Sequence, residues 1–146
     1  MTALRTGTLA LVTFGMSFSM SLAADINGSW LTEGGTATVR LTSCGDAVCG
    51  TIIALKQPND PETGKPQTDR NNTNASLRNR PVVGMQIVLG MKPSGAPNKW
   101  SGRVYNAEDG ETYTGNLTLQ TPNTLRLEGC ILGGLICQGQ TWTRVN

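Results

Sequence analysis

From Thr36 to Thr42 the chain reads TATVRLT, with Ala37, Val39 and Leu41 on one side and threonines and an arginine on the other. That period of two is the mark of a strand with one wet face. YTGNLTLQ repeats it with Leu117 and Leu119, TLRLE with Leu125 and Leu127, and MQIVLGM with Met85, Ile87, Leu89 and Met91 on one face. No stretch of helical length escapes interruption by glycine, proline or threonine runs. Turn chemistry falls between the alternating segments: Gly34-Gly35, Gly45-Asp46, the run Pro93 to Asn98, Asp109-Gly110, Pro122-Asn123 and Gly133-Gly134. Asp-Gly is the strongest of these hairpin signals, because both residues tolerate positive φ. The expected strands are 28–32, 36–43, 47–56, 83–92, 99–105, 111–119, 123–130 and 137–145.

Eight strands joined mostly by short antiparallel connections fit an all-β, up-and-down barrel, which leaves no exposed edge. A two-sheet sandwich is the alternative, and alternation alone does not separate them. An eight-stranded barrel is either filled by its own side chains or holds one small ligand. One connection breaks the pattern. Residues 57–82 have no apolar period, and a loop that long is uncommon in a compact domain unless it is functional or disordered. They are expected to form a polar flap.

The beginning of the chain reads differently. Arg5, an apolar stretch from Leu9 to Met20, and Ser21-Leu22-Ala23 have the order of an export signal cleaved near Ala23. The run is too diluted by glycine, serine and threonine for a membrane anchor. The expected organisation is therefore a signal peptide, 1–23, and one barrel domain, 24–146, in the periplasm or secreted, with no membrane span after cleavage. Both phenylalanines belong to the leader, so the core of the exported part is mostly aliphatic around three tryptophans and two tyrosines.

Composition narrows the chemistry. The formal net charge is only +2, too small a field to indicate nucleic acid or acidic membranes as partners. The chain has no histidine, which excludes a Ser-His-Asp triad, a Cys-His pair and any His-ligated metal. No cofactor or metal site is expected. Cys44, Cys49, Cys130 and Cys137 form two close pairs, CGDAVC and CILGGLIC. Export favours disulfides over a zinc site. Of the three pairings, Cys44–Cys49 and Cys130–Cys137 are preferred, since each would staple a hairpin. Loops this short stabilise by roughly 2 to 2.5 kcal/mol each in the chain-entropy model.

Several stretches resemble a known family in combination: Gly28-x-Trp30, CGDAVCGTI, the pattern from Asp69 through Leu77-Arg78-x-Arg80-Pro81, Trp100-x-Gly102-x-x-Tyr105, Asp109-Gly110-x-x-Tyr113 and Trp142-Thr143-Arg144. The set resembles the bacterial exported family named domain of unknown function 2147, over nearly all of the chain beyond the leader. It departs at Thr73 and Ala107, where proline is expected. The resemblance implies a lipocalin-like, calycin-type barrel. It also implies that Trp30 on the first strand packs against Arg144 on the last, a structural pair worth roughly 0.5 to 2 kcal/mol.

Candidate ligand-binding residues follow from position. Asp69, Asn72, Arg78 and Arg80 in the flap could clamp an anionic or hydroxylated head group. Against this, Asp69 pairing with an arginine and asparagines satisfying loop backbone is the favoured reading for Asp69 and Asn72. For the two arginines both roles stay open. Trp100 and Tyr105 are candidate platforms, though tryptophan in a barrel is more often core. Gln138, Gln140, Trp142 and Arg144 share one face of the last strand, and if that face is inward the interior is partly polar. The expected function is an exported barrel binding a small amphipathic or anionic ligand. The alternatives are a filled barrel acting as an envelope structural or interaction protein, and, on the carboxylates Glu108, Asp109 and Glu111 alone, a hydrolase. A non-enzymatic role is favoured, and oligomeric state is not legible.

Overall fold

The computed structural model describes residues 25–146. The expected signal peptide lies outside the described residues. The eight strands are β1 (Gly28–Leu31), β2 (Ala37–Cys44), β3 (Ala47–Leu55), β4 (Gln86–Pro93), β5 (Lys99–Asn106), β6 (Glu111–Thr121), β7 (Thr124–Ile131) and β8 (Ile136–Arg144). Each pairs antiparallel with its sequence neighbour, and β1 pairs with β8 through Trp30↔Arg144 and Leu31↔Thr143. The sheet is therefore a closed eight-stranded barrel and not a sandwich.

Alternation places Trp30, Val39, Leu41, Leu117, Leu125 and Trp142 inside, all but fully buried. They fill one half of the barrel. At that end the Arg144 guanidinium stands 4.3 Å from the Trp30 ring centroid. It also donates to the carbonyls of Pro122, Asn27 and Asp25 at 2.8, 2.8 and 2.9 Å. The Trp30 indole N–H donates to Ile26 O at 2.9 Å. One arginine thus ties the chain before β1, the β6–β7 turn and the last strand into a plug.

Strand β4 departs from simple alternation. Met85 and Met91 are buried as expected, but Val88 is buried with them, while Ile87 and Leu89 are only partly covered. The cause is two irregularities: Gly90 adopts φ 69° where the β4–β5 register shifts between Leu89 and Lys92, and the β3–β4 register shifts again between Gly50↔Val88 and Thr51↔Gln86, which returns Met85 to the buried face. One extra residue moves the strand by one phase, so Val88 and Met91, three apart, face the same way. Opposite the Met91 methyl sits Gly115, where a Cβ would approach that methyl to 2.6 Å. A bulky side chain on one strand is matched by none on the other.

Both cysteine pairs are disulfides, Cys44–Cys49 across the β2–β3 turn and Cys130–Cys137 across the β7–β8 turn. No free thiol remains among the described residues. Two disulfides fit an oxidising, extracytoplasmic environment. No helix among the described residues is long and apolar enough to cross a membrane.

Candidate functional site

The barrel end opposite the Trp30–Arg144 plug is hollow. A cavity of about 1310 Å³ opens there, between the β1–β2, β5–β6 and β7–β8 connections and the long β3–β4 connection. Its inner wall is apolar, with Ile52, Leu55, Ile87, Val104, Leu127 and Trp142. The space exists because Gly129, one inward position on β7, has no side chain, and the neighbouring inward positions on β8 carry glutamines that stay exposed at the mouth. A Cβ at Gly129 would come no closer than 3.5 Å to Tyr113 and 3.6 Å to Val104, ordinary contact distances. On β8 the inward positions above Trp142 are Gln140 and Gln138, opposite Leu127 and Gly129. Both glutamines are exposed to the solvent that enters the mouth. Gln140 Oε1 accepts the Trp142 indole N–H at 2.9 Å, which meets the polar need of a ring with 1% exposure.

The polar rim comes from two connections. In the β5–β6 turn, Asp109 accepts from the Tyr113 hydroxyl at 2.6 Å, from the Glu111 N–H at 2.9 Å and from Asn106 Nδ2 at 3.1 Å. Partial burial pushes its carboxyl up. The hydrogen bonds, led by Tyr113, outweigh burial and hold it below its ordinary value. The same bond, then burial, raises the Tyr113 phenol. Asp109 is thus a turn anchor held as a carboxylate, and a glycosidase acid needs the opposite shift.

The second contributor is the flap. Asp69 has 0% exposure. It accepts from the Tyr105 hydroxyl at 2.5 Å, from Arg80 Nε and a terminal Arg80 nitrogen at 2.8 Å each, and from Asn72 Nδ2 at 2.8 Å. Tyr105 and Thr112 form an outward-facing pair on the barrel wall. The Arg80 guanidinium lies 5.4 Å from the Tyr105 ring centroid. A buried carboxylate needs such a set of donors to remain tolerable. Burial first, then the bond to Asp69, raises the Tyr105 phenol above 10.0. This latch fastens the flap to the outside of β5. Arg78 Nε donates to Asn72 O at 2.8 Å and supports it from behind.

The backbone turns through the latch at residues 70–71, where the Asn72 N–H donates to Asp69 O at 3.0 Å. With Asp69 and Asn72 turned to the wall, Gln67, Thr68, Arg70 and Asn71 border the cavity. Asn71 Nδ2 also donates to Glu108 O at 2.8 Å, bridging flap and turn. Gly110 makes that approach feasible: its φ is 76°, and a Cβ would lie 1.9 Å from Asn71 O.

The structure therefore distributes the candidate residues over three places. Asp69, Asn72, Arg78 and Arg80 meet in or beside the latch. Tyr105 joins that latch and also borders the cavity. Gln140 and Trp142 line the cavity. Trp100 sits on β5 beside Leu117, against the filled core. Sequence reasoning did not single out Lys56, Gln67, Arg70, Asn71 or Tyr113, which border the cavity. A signal for one of them, Arg70, was present: in an extended segment the immediate neighbours of a buried Asp69 face the other way, whereas Gln67 and Asn71 share the parity of Asp69, and Asn71 reaches the cavity through the turn at residues 70–71.

A family model described as "Uncharacterized protein conserved in bacteria (DUF2147)" matches residues 28–144. A search of curated proteins gives no match. Among solved structures, the chain is similar to protein HP1028 from Helicobacter pylori, described as belonging to the lipocalin family. That likeness has 21% identity, 84% of each chain covered and a TM-score of 0.70; at this identity it bears on the fold.

Proposed function

The chain belongs to the DUF2147 family, and we propose that it is an exported carrier, periplasmic or secreted, holding one small amphipathic molecule in the open half of its barrel. The observation that carries this reading is the cavity of about 1310 Å³, apolar within and polar at the rim. Small-molecule sites have this character, mostly apolar walls with a few polar groups that fix orientation. The apolar part of the ligand lies against Ile52, Val104, Leu127 and Trp142. Its head group meets Gln138, Gln140, Lys56 and Arg70 at the mouth. The two disulfides and the leader-like start of the sequence support a site of action outside the cytoplasm.

The filled-barrel alternative finds support in the packed half around Trp30, Met91 and Leu117, but that half ends at Trp142. The test uses 11-(dansylamino)undecanoic acid, a fluorescent amphiphile, titrated into wild type and a Gly129→Phe variant. Position 129 accepts a Cβ without a clash, so the phenyl ring enters the cavity without forcing the backbone. The expected result is saturable one-to-one binding by wild type and at least tenfold weaker binding by the variant. No saturable binding by wild type, or equal binding by both, overturns the reading. Native mass spectrometry of protein purified from its own cell envelope then identifies the natural adduct by mass.

A further inference from the structure

The β7–β8 hairpin carries the most exposed apolar side chains among the described residues. Its tip is Ile131-Leu132-Gly133-Gly134-Leu135-Ile136, closed behind by Cys130–Cys137. Leu135 is 85% exposed and Leu132 67%, with Ile136 and Ile131 about half exposed. From Gly129 to Thr143 no side chain is charged. Leu132 also has φ 53°, in the left-handed region that glycine and asparagine adopt readily and leucine does not. No burial of its side chain offsets that conformation. Ile131 and Ile136 line the cavity, so the apolar tip joins the cavity mouth directly, with Gln138 and Gln140 next along β8 before Trp142.

We propose that this hairpin tip docks the barrel mouth on the surface of a lipid bilayer, so that an amphipathic ligand passes between bilayer and cavity along Ile131 and Ile136. The inference rests on the carrier reading above. Shape favours a bilayer over a second protein copy. A hairpin tip is narrow and convex, and its exposed apolar area is on the order of a few hundred Å². A stable dimer needs about 800 Å² from each partner. A bilayer takes up a convex apolar tip at the headgroup–acyl boundary without a matching surface. Charge selects the kind of bilayer. Glu33, Glu108, Asp109 and Glu111 stand in the connections at the same end as the hairpin, with Lys56 beside them. In the flap Arg70 is paired with Asp60 at 3.1 Å and Arg80 with Asp69 at 2.8 Å, and Glu62 offsets one of Lys65 and Arg78. The mouth therefore has no excess of positive charge to attract anionic lipid, and docking is to net-neutral lipid and nearly independent of salt.

The test is co-sedimentation with sucrose-loaded vesicles of phosphatidylcholine and phosphatidylethanolamine. Wild type is compared with Leu132→Asn/Leu135→Asn, both with the same N-terminus, verified by mass. Asparagine suits the left-handed backbone at 132, so the variant keeps its thermal midpoint and its disulfides. The expected result is measurable partitioning by wild type at millimolar lipid and at least a tenfold loss in the variant. Partitioning should change less than twofold between 50 and 500 mM salt. Equal partitioning by both proteins overturns the proposal, as does none by wild type. So does sedimentation velocity showing a wild-type dimer that the variant abolishes without any vesicle binding. The Gly129→Phe protein separates the two readings. It should bind vesicles like wild type while failing to bind the dansyl probe, and vesicle binding without probe binding by wild type sinks the carrier alone.

Discussion

Removing one oxygen, by Tyr105→Phe, tests whether the latch holds the flap. The ring stays, with its contact to Arg80 and its cover over β5, so no large cavity opens. What is lost is the 2.5 Å hydrogen bond to a carboxylate with no exposure to water. A hydrogen bond to a charged group contributes about 1.5 to 3 kcal/mol. The remaining donors from Arg80 and Asn72 keep Asp69 paired, so the loss stays below the 3 to 5 kcal/mol typical of orphaning a buried charge. We expect about 2 kcal/mol, which raises the population of flap-open molecules roughly 30-fold. The effect is local because the flap's backbone bonds run among its own residues and not to the strands. Asp69 N–H reaches Arg80 O at 3.0 Å, and Val82 N–H reaches Gln67 O at 3.0 Å. Native-state hydrogen exchange of these two amides should accelerate by that factor, while amides of Val39 and Leu117 keep wild-type rates. A change below twofold at Asp69 and Val82, or one uniform acceleration across the barrel, refutes the latch as argued.

The same phenol gives an alkaline signature. Its folded pKa is raised, so its contribution to stability is complete below about pH 10 and is lost as pH rises through the folded value. In a Tyr113→Phe background, absorbance at 295 nm reads Tyr105 by itself and should titrate above 10; a midpoint at or below 10 contradicts its burial. Asp109 behaves in the opposite sense. Its folded pKa is lowered, so its contribution is present above about 3.8 and is lost as pH falls through the folded value. Urea unfolding at pH 7 and pH 3 should show Tyr113→Phe clearly less stable than wild type at pH 7 and closer to it at pH 3; a gap that widens in acid speaks against the assignment. Gly110→Ala should displace the flap from the turn and cost more than about 1 kcal/mol, from positive φ and the collision with Asn71 O. Wild-type stability and wild-type flap exchange in that variant would show the contact to be dispensable. Cys130→Ser/Cys137→Ser should lose about 2 kcal/mol in denaturant unfolding, and no loss would mean that the hairpin is held by its ladder alone.

Local patterns settled much of this protein before any coordinates. Period-two alternation and turn residues identified eight strands near their observed positions, because side-chain direction in a strand depends only on the count along the chain. Short hairpins likewise made the cysteine pairing readable, since Cys44 and Cys49, or Cys130 and Cys137, are brought opposite by their own turns. Three things required the folded chain. Closure of the barrel depends on β1 meeting β8, a pairing of residues more than a hundred positions apart. The phase of β4 depends on the bulge at Gly90, which lets Val88 and Met91 share a face and which no apolar periodicity announces. The destination of Asp69 depends on Tyr105, 36 residues away, because a carboxylate is equally polar in sequence whether it meets a ligand, water or a buried phenol. The cavity follows the same logic: Gln138 and Gln140 line a hollow only because closure turns their face inward, opposite Gly129 and Leu127, and enclosed volume is a property of the whole sheet.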